Sequence, residues 1–280
     1  IKEICDLVKP KYGVITSIGP QHMESFKSIE NVIKTKFELA DAVKENGGTV
    51  FLNYDNEYIK NNKIDMDIIS YGVNDDNLDY SAYNLNSSEK GVSFYVKDES
   101  NKEVQFTTKA IGRYNIVNIM GAIAVANKFD IKLESLVSRV REIKNVDHRL
   151  QLIRRNNINV IDDSYNSNPV SSKSAIDTLG EFEGTKIIVT PGLIELGEQE
   201  DRYNFELGEY ITKVCDYVFL VGKEHSKKIF EGIKSKNFNM EKVFIVESPE
   251  EAMQKVFSLG INDKVTVLLE NDLPDNYNVK

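Results

Sequence analysis

The chain has no tryptophan, only two cysteines and six prolines among 280 residues. It also has no apolar run approaching the ~18 residues that a membrane-spanning helix requires, so no membrane insertion is expected. Cys5 and Cys215 fall in different halves, which argues against a disulfide and for a reducing, cytoplasmic setting. No basic segment followed by an apolar core reads as a secretory signal; Ile1 opens what reads as mid-helix, as a fragment would. Positive charge is short too. Thirty-five Lys and Arg face 44 Asp and Glu, a net charge of -9 without a basic stripe, which argues against a nucleic-acid partner. There is no G-x-G-x-x-G, hence no dinucleotide site is claimed, and no Gly-Lys-Thr or Gly-Lys-Ser loop to cradle phosphates.

What is present is enough apolar material, 41% of residues, for one large or two medium domains. The first half predicts a buried strand over 12–18, a helix within 24–44, strands at 48–52 and 68–71, and helices over 115–129, with alanines on its packing face, and 131–142. Between 78 and 110, alternation in Val92-Ser93-Phe94-Tyr95-Val96 and Glu103-Val104-Gln105-Phe106-Thr107 predicts an antiparallel pair turning through 98–101. Patterns restart at 145–148, the expected boundary between domains 1–147 and 148–280. The second half repeats strand and helix: strands at 158–162, 186–190, 217–221, 242–246 and 264–269, helices at 171–181, 202–214, 224–235 and 249–258. That order predicts an α/β fold with a mostly parallel sheet covered on both faces.

The richest segment is Ile161-Asp162-Asp163-Ser164-Tyr165-Asn166-Ser167-Asn168-Pro169. An apolar strand runs into six short polar residues around a tyrosine, then a proline opens the next helix. Such clusters make turns and caps. At the carboxyl end of a parallel strand they also line ligand crevices, and one or two residues suffice for capping alone.

Asp163-Ser164-Tyr165-Asn166-Ser167-Asn168-Pro169 resembles the D-S-Y-N-A-N-P motif of the Mur ligases, in particular the MurF type. Ile15-Thr16-Ser17-Ile18-Gly19-Pro20-Gln21-His22-Met23-Glu24 is similar to that family's I-T-N-I-G-x-A-H-L-E, and Lys36-Phe37-Glu38 to its K-G-E. Asn53-Tyr54-Asp55, Gly112 to Asn118, His148-Arg149-Leu150 and Glu195-Leu196-Gly197 follow in family order. Tyr114 stands where a histidine is common, and Thr190 to Glu195 replaces the more usual L-G-D-M-x-E.

The resemblance implies a partial central domain of P-loop type followed by a Rossmann-like C-terminal domain. It implies ATP and Mg2+ as cofactors and an amide-forming reaction through an acyl phosphate, in which D-Ala-D-Ala joins UDP-MurNAc-tripeptide. His22 and Lys36 would serve magnesium, Lys36 as a carbamate in several relatives. Arg149 would reach the γ-phosphate, and Asn118, Asn53, Asp55 and Asp163 would hold nucleotide. Tyr165, Asn166 and Asn168 would meet the dipeptide, with all these groups facing one gap between lobes. The acidic tail from Glu270 to Tyr277 is a candidate for the dipeptide ammonium, or a plain terminal loop. Without the phosphate loop and the family's front domain, the isolated chain is expected to be inactive. The alternatives are a non-catalytic partner module that kept the fold, and another superfamily member such as folylpolyglutamate synthase.

Overall fold

The computed structural model describes residues 1–98, 100–155 and 157–271. The chain folds as two compact units, one of residues 1–109 and 113–144, the other of residues 110–112 and 145 onward.

In the first unit, α1 (Lys2–Val8) leads to β1 (Tyr12–Ile15), α2 (Met23–Phe26), α3 (Ile29–Glu45), β2 (Thr49–Asn53), α4 (Glu57–Lys60) and β3 (Ile68–Val73). Then come β4 (Tyr80–Ser88), β5 (Gly91–Lys97), β6 (Glu103–Thr108), α5 (Tyr114–Lys128) and α6 (Leu133–Arg141). The six strands form one sheet in sequence order, parallel from β1 to β4 and antiparallel from β4 to β6. Ser28 starts α3 by accepting the Asn31 N–H, satisfying one of the amides a helix start leaves open. Phe51, Tyr71, Phe94 and Phe106 pack from the sheet against Ile116, Ile119, Met120 and Ile123 of α5.

Three expectations need correction here. The first strand stops at Ile15, and Tyr12 and Val14 are exposed, because β1 is an edge strand with one covered face. The packing face of α5 is built of isoleucine and methionine, with Ala124 as its buried alanine and Ala122 exposed. Strand β4 was not anticipated: its asparagines and a register shift between Tyr83 and Asn86, with Asn84 at φ 51, interrupt the alternation that identifies a strand.

The second unit holds β7 (Gln151–Arg155), β8 (Ile158–Asp163), α7 (Pro169–Gly180), β9 (Thr185–Thr190), α8 (Glu200–Ile211), β10 (Tyr217–Val221), α9 (Lys227–Ser235), β11 (Val243–Val246), α10 (Pro249–Ser258) and β12 (Val265–Glu270). Sheet order is β11-β10-β9-β12-β8-β7, all parallel except β7 against β8. The run Val265-Thr266-Val267-Leu268 is buried on both faces, as a central parallel strand requires. β7 was missed in the sequence because it is a half-exposed edge strand with two arginines. The chain runs outward from β8 to β11 and returns through β12 between β8 and β9. The carboxyl ends of β8, β12 and β9 therefore flank the reversal, where open α/β sheets place ligands.

Candidate functional site

In the first unit the polar groups expected at the site are spread over strand ends and helices. His22 is exposed, has left-handed backbone (φ 50) and precedes α2. Lys36 is half-buried on α3, while Glu38 on the same helix accepts the Lys2 backbone N–H at 2.9 Å. Asn53, 4% exposed, is committed to its own unit. Its Nδ2 donates to the Thr16 carbonyl at 2.7 Å and its Oδ1 accepts the Asp55 N–H at 3.0 Å. Asn56 does the same for the Ile18 carbonyl at 2.8 Å. Together they tie the segment after β1 to the end of β2, so here the N-x-D pattern works as a latch. Asp55 Oδ1 accepts the Val73 N–H at 3.0 Å, and burial pushes its carboxyl above the ordinary range, against that hydrogen bond and the Arg113 charge. Asn118 is exposed on α5.

Magnesium takes oxygen ligands. His22 and Lys36 as they stand offer one nitrogen each, and no group of three or more His, Cys, Asp or Glu among the described residues is arranged to hold a metal. As they stand, these donors do not fit a magnesium cage.

The second unit concentrates its polar groups at the β8 end. Asp162 Oδ2 lies 2.8 Å from His148 Nδ1, and Asp162 Oδ1 accepts the Ser164 hydroxyl at 2.7 Å. Asp163 Oδ1 accepts the Leu150 N–H at 3.0 Å; burial drives its carboxyl upward, opposed by that bond and by the Arg149 charge. The exposed Arg149 guanidinium lies over the Tyr165 ring, 4.3 Å from its centroid. Tyr165 itself is 66% exposed, so this cation–π pair holds a planar fork at the surface, the shape that suits phosphoryl oxygens. Asn166 is exposed, while Asn168 caps α7: its Oδ1 accepts the Val170 and Ser171 N–H groups, both at 3.0 Å, and Ser171 answers the Asn168 N–H. Asn168 thus fills the capping role that such polar clusters commonly take. Arg149, Asp163 and Tyr165 come together; Asn166 and Asn168 follow on the same loop.

Behind that loop lies the start of the acidic tail, whose buried partners Ser172 and Thr190 the sequence did not single out. Glu270, at the end of β12, is 0% exposed and bonded to Ser167, Ser172 and Thr190. Asn271 Nδ2 donates to the Gly192 carbonyl at 2.6 Å, bracing the segment after β9. The available signal was a glutamate closing the apolar run Val265 to Leu269. The rest of the acidic tail, 272–277, lies outside the described residues. Beside the loop, on the α10 side, a cavity of about 460 Å³ is lined by Val189, Pro191, Val221 and Leu269 together with the polar Ser164 and Asn271. No helix among the described residues is long and apolar enough to cross a membrane.

Comparison with known proteins agrees with this architecture. The Mur ligase middle domain matches residues 2–126 and the Mur ligase, glutamate ligase domain matches residues 148–270. The UDP-N-acetylmuramoyl-tripeptide--D-alanyl-D-alanine ligase of Bacillus subtilis is 30% identical over 221 residues, 78% of this chain and 47% of the relative. Its namesake from Haemophilus influenzae is 30% identical over 270 residues, 94% of this chain and 56% of the relative. The chain thus spans about half the length of the curated relatives it matches. In fold it is similar to the crystal structure of MurF ligase from Thermotoga maritima in complex with ADP, with a TM-score of 0.83 at 19% identity, covering 97% of this chain and 61% of that one. With both halves matched in order, the chain belongs to the Mur ligase family, of which it carries the middle domain followed by the glutamate ligase domain.

Proposed function

We propose that this chain is the central and C-terminal part, 1–147 and 148–280, of a MurF-type ligase that joins D-Ala-D-Ala to UDP-MurNAc-tripeptide at the expense of ATP, in the cytoplasm. The observation that carries the reading is the β8-end loop, where Arg149, Asp163 and Tyr165 gather beside a sheet reversal. Relatives bearing the name of that reaction, and a fold neighbour solved with ADP, support it.

ATP, when bound, would convert a carboxylate into an acyl phosphate that an amine attacks. This chain's residues bind and orient. Arg149, kept in place by Tyr165, is set to meet phosphoryl oxygens, where a charge-assisted fork is strongest. Asp163, oriented by the Leu150 N–H, is an acceptor suited to sugar hydroxyls of a nucleotide. Asn118 is accessible for a nucleotide contact, whereas Asn53 and Asp55 shape the loop after β1. Tyr165 and Asn166 remain open to the dipeptide; Asn168 acts by starting α7.

The test is an NMR titration of the 280-residue chain with D-Ala-D-Ala and, separately, D-glutamate. The reading expects the dipeptide to shift the amides of residues 163–168. A response to D-glutamate alone contradicts it.

A further inference from the structure

An ionised carboxylate carries no hydrogen, so once Glu270 has released its proton every hydroxyl bonded to it must donate. Glu270 meets three. Ser167 and Ser172 Oγ lie 2.5 Å from its Oε1, and Thr190 Oγ1 lies 3.0 Å from its Oε2. Among the described residues no cation pairs with Glu270, and the charge that bears on it is that of Asp163, its register partner across β8 and β12. The three donors take the place of a counter-ion.

They are not equivalent. Ser172 and Thr190 are buried, and Thr190 Oγ1 also accepts the Gly192 N–H at 3.0 Å. Ser167 is half-buried, on the loop that carries Tyr165 and Asn166. Ser167 Oγ also lies 2.7 Å from Ser172 Oγ and 3.2 Å from Ser171 Oγ, and with its single proton committed inward to Glu270 it can meet these hydroxyls and the loop surface only through its two lone pairs. Its neighbour Ser171 is occupied with the Asn168 backbone, accepting the N–H at 2.9 Å and donating to the carbonyl at 3.1 Å. An oxygen fixed as an acceptor favours a ligand that brings hydrogens, and the buried negative charge behind it favours a cation.

We propose that Glu270 is a positioning residue that fixes the Ser167 hydroxyl as an acceptor for the primary ammonium of the incoming substrate. This rests on the ligase reading above. It also gives that site a selection rule: a free amine is accepted and its acylated form is not, even where the rest of the molecule is the same.

The experiment titrates the 280-residue chain at pH 8 with D-Ala-D-Ala and with N-acetyl-D-Ala-D-Ala, reading the amides of 164–168 by NMR, and repeats both with Glu270→Gln and Ser167→Ala. A charge-assisted hydrogen bond corresponds to about a tenfold preference for the free amine in the unaltered chain. The glutamine variant keeps the size of the side chain without its charge, and should lose most of that preference. Ser167→Ala leaves Glu270 bonded to Ser172 and Thr190 and should lose it likewise, which keeps the test decisive if the glutamine variant does not fold. Unchanged preference in a folded variant overturns the role of Glu270 while leaving the ligase reading intact. If neither dipeptide shifts the unaltered chain, the ligase reading itself is overturned, and this proposal with it.

Discussion

Replacing Tyr71 by phenylalanine is expected to stabilise the first unit, although most substitutions of a fully buried residue do the reverse. Tyr71 is 0% exposed, and its hydroxyl has no hydrogen-bond partner among the described residues. Burial accordingly drives its ionisation far above the ordinary phenol range. An unsatisfied buried hydroxyl costs about 1–3 kcal/mol. Deleting it leaves a void of roughly 15 Å³, which at ~24 cal/mol per Å³ returns only about 0.4 kcal/mol. The net gain is about 1 kcal/mol, or roughly 3 °C in Tm for a unit of this size. Because the chain has no tryptophan, circular dichroism follows the urea transition, and hydrogen exchange at α5 amides isolates this unit. The neighbouring contact supplies a control. A Cβ on Gly121 would lie 3.0 Å from Tyr71 Cζ and 3.1 Å from its hydroxyl oxygen, so Gly121→Ala should cost less in the Tyr71→Phe background than in the unaltered chain. A loss of 1 kcal/mol or more in Tyr71→Phe would show that the hydroxyl is partnered, and would refute the reasoning.

Asn168→Ala removes the acceptor of two N–H groups at the start of α7 and should cost about 1 kcal/mol in urea unfolding; no change would mean that the cap is replaced by solvent. Burial raises the folded-state value of Glu270 above its ordinary 4.5, with Ser167, Ser172 and Thr190 opposing. The native state therefore holds a proton that the unfolded chain has already released, and stability falls as pH rises from about 4.5 through the raised folded value. Asp163 acts in the same direction. In Glu270→Gln the decline should be shallower when urea midpoints are compared at pH 4, 6 and 8, and a superimposable profile would contradict this. The purified 280-residue chain, which has no Gly-Lys-Thr or Gly-Lys-Ser loop, should hydrolyse ATP weakly or not at all in a phosphate-release assay, so robust turnover would be a contrary result.

Most of the second sheet was legible because buried parallel strands are short uninterrupted apolar runs, and Tyr217–Val221 coincides with its predicted range, as does the helix Pro249–Ser258 beside it. Edge strands were less so. β1 is shorter and more exposed than its composition implies, and β7 hides behind arginines, while the interior strand β4 hides behind its asparagines and a register shift. At the candidate site, the motif located the loop but could not apportion its labour. Asn168 and Asn53 bear the residue types of ligand contacts, and the fold spends them on a helix cap and a loop latch. Glu270 is the converse: 103 residues from Ser167 in sequence, it meets that serine only because β12 inserts beside β8.

The central claim is most directly tested by placing the 280-residue chain behind the N-terminal segment of the Bacillus subtilis relative. The joined protein would be supplied with ATP, magnesium and UDP-MurNAc-tripeptide, offered D-Ala-D-Ala and single amino acids separately, and its products weighed by mass spectrometry. The account predicts that the dipeptide is incorporated; incorporation of a single amino acid alone would contradict it.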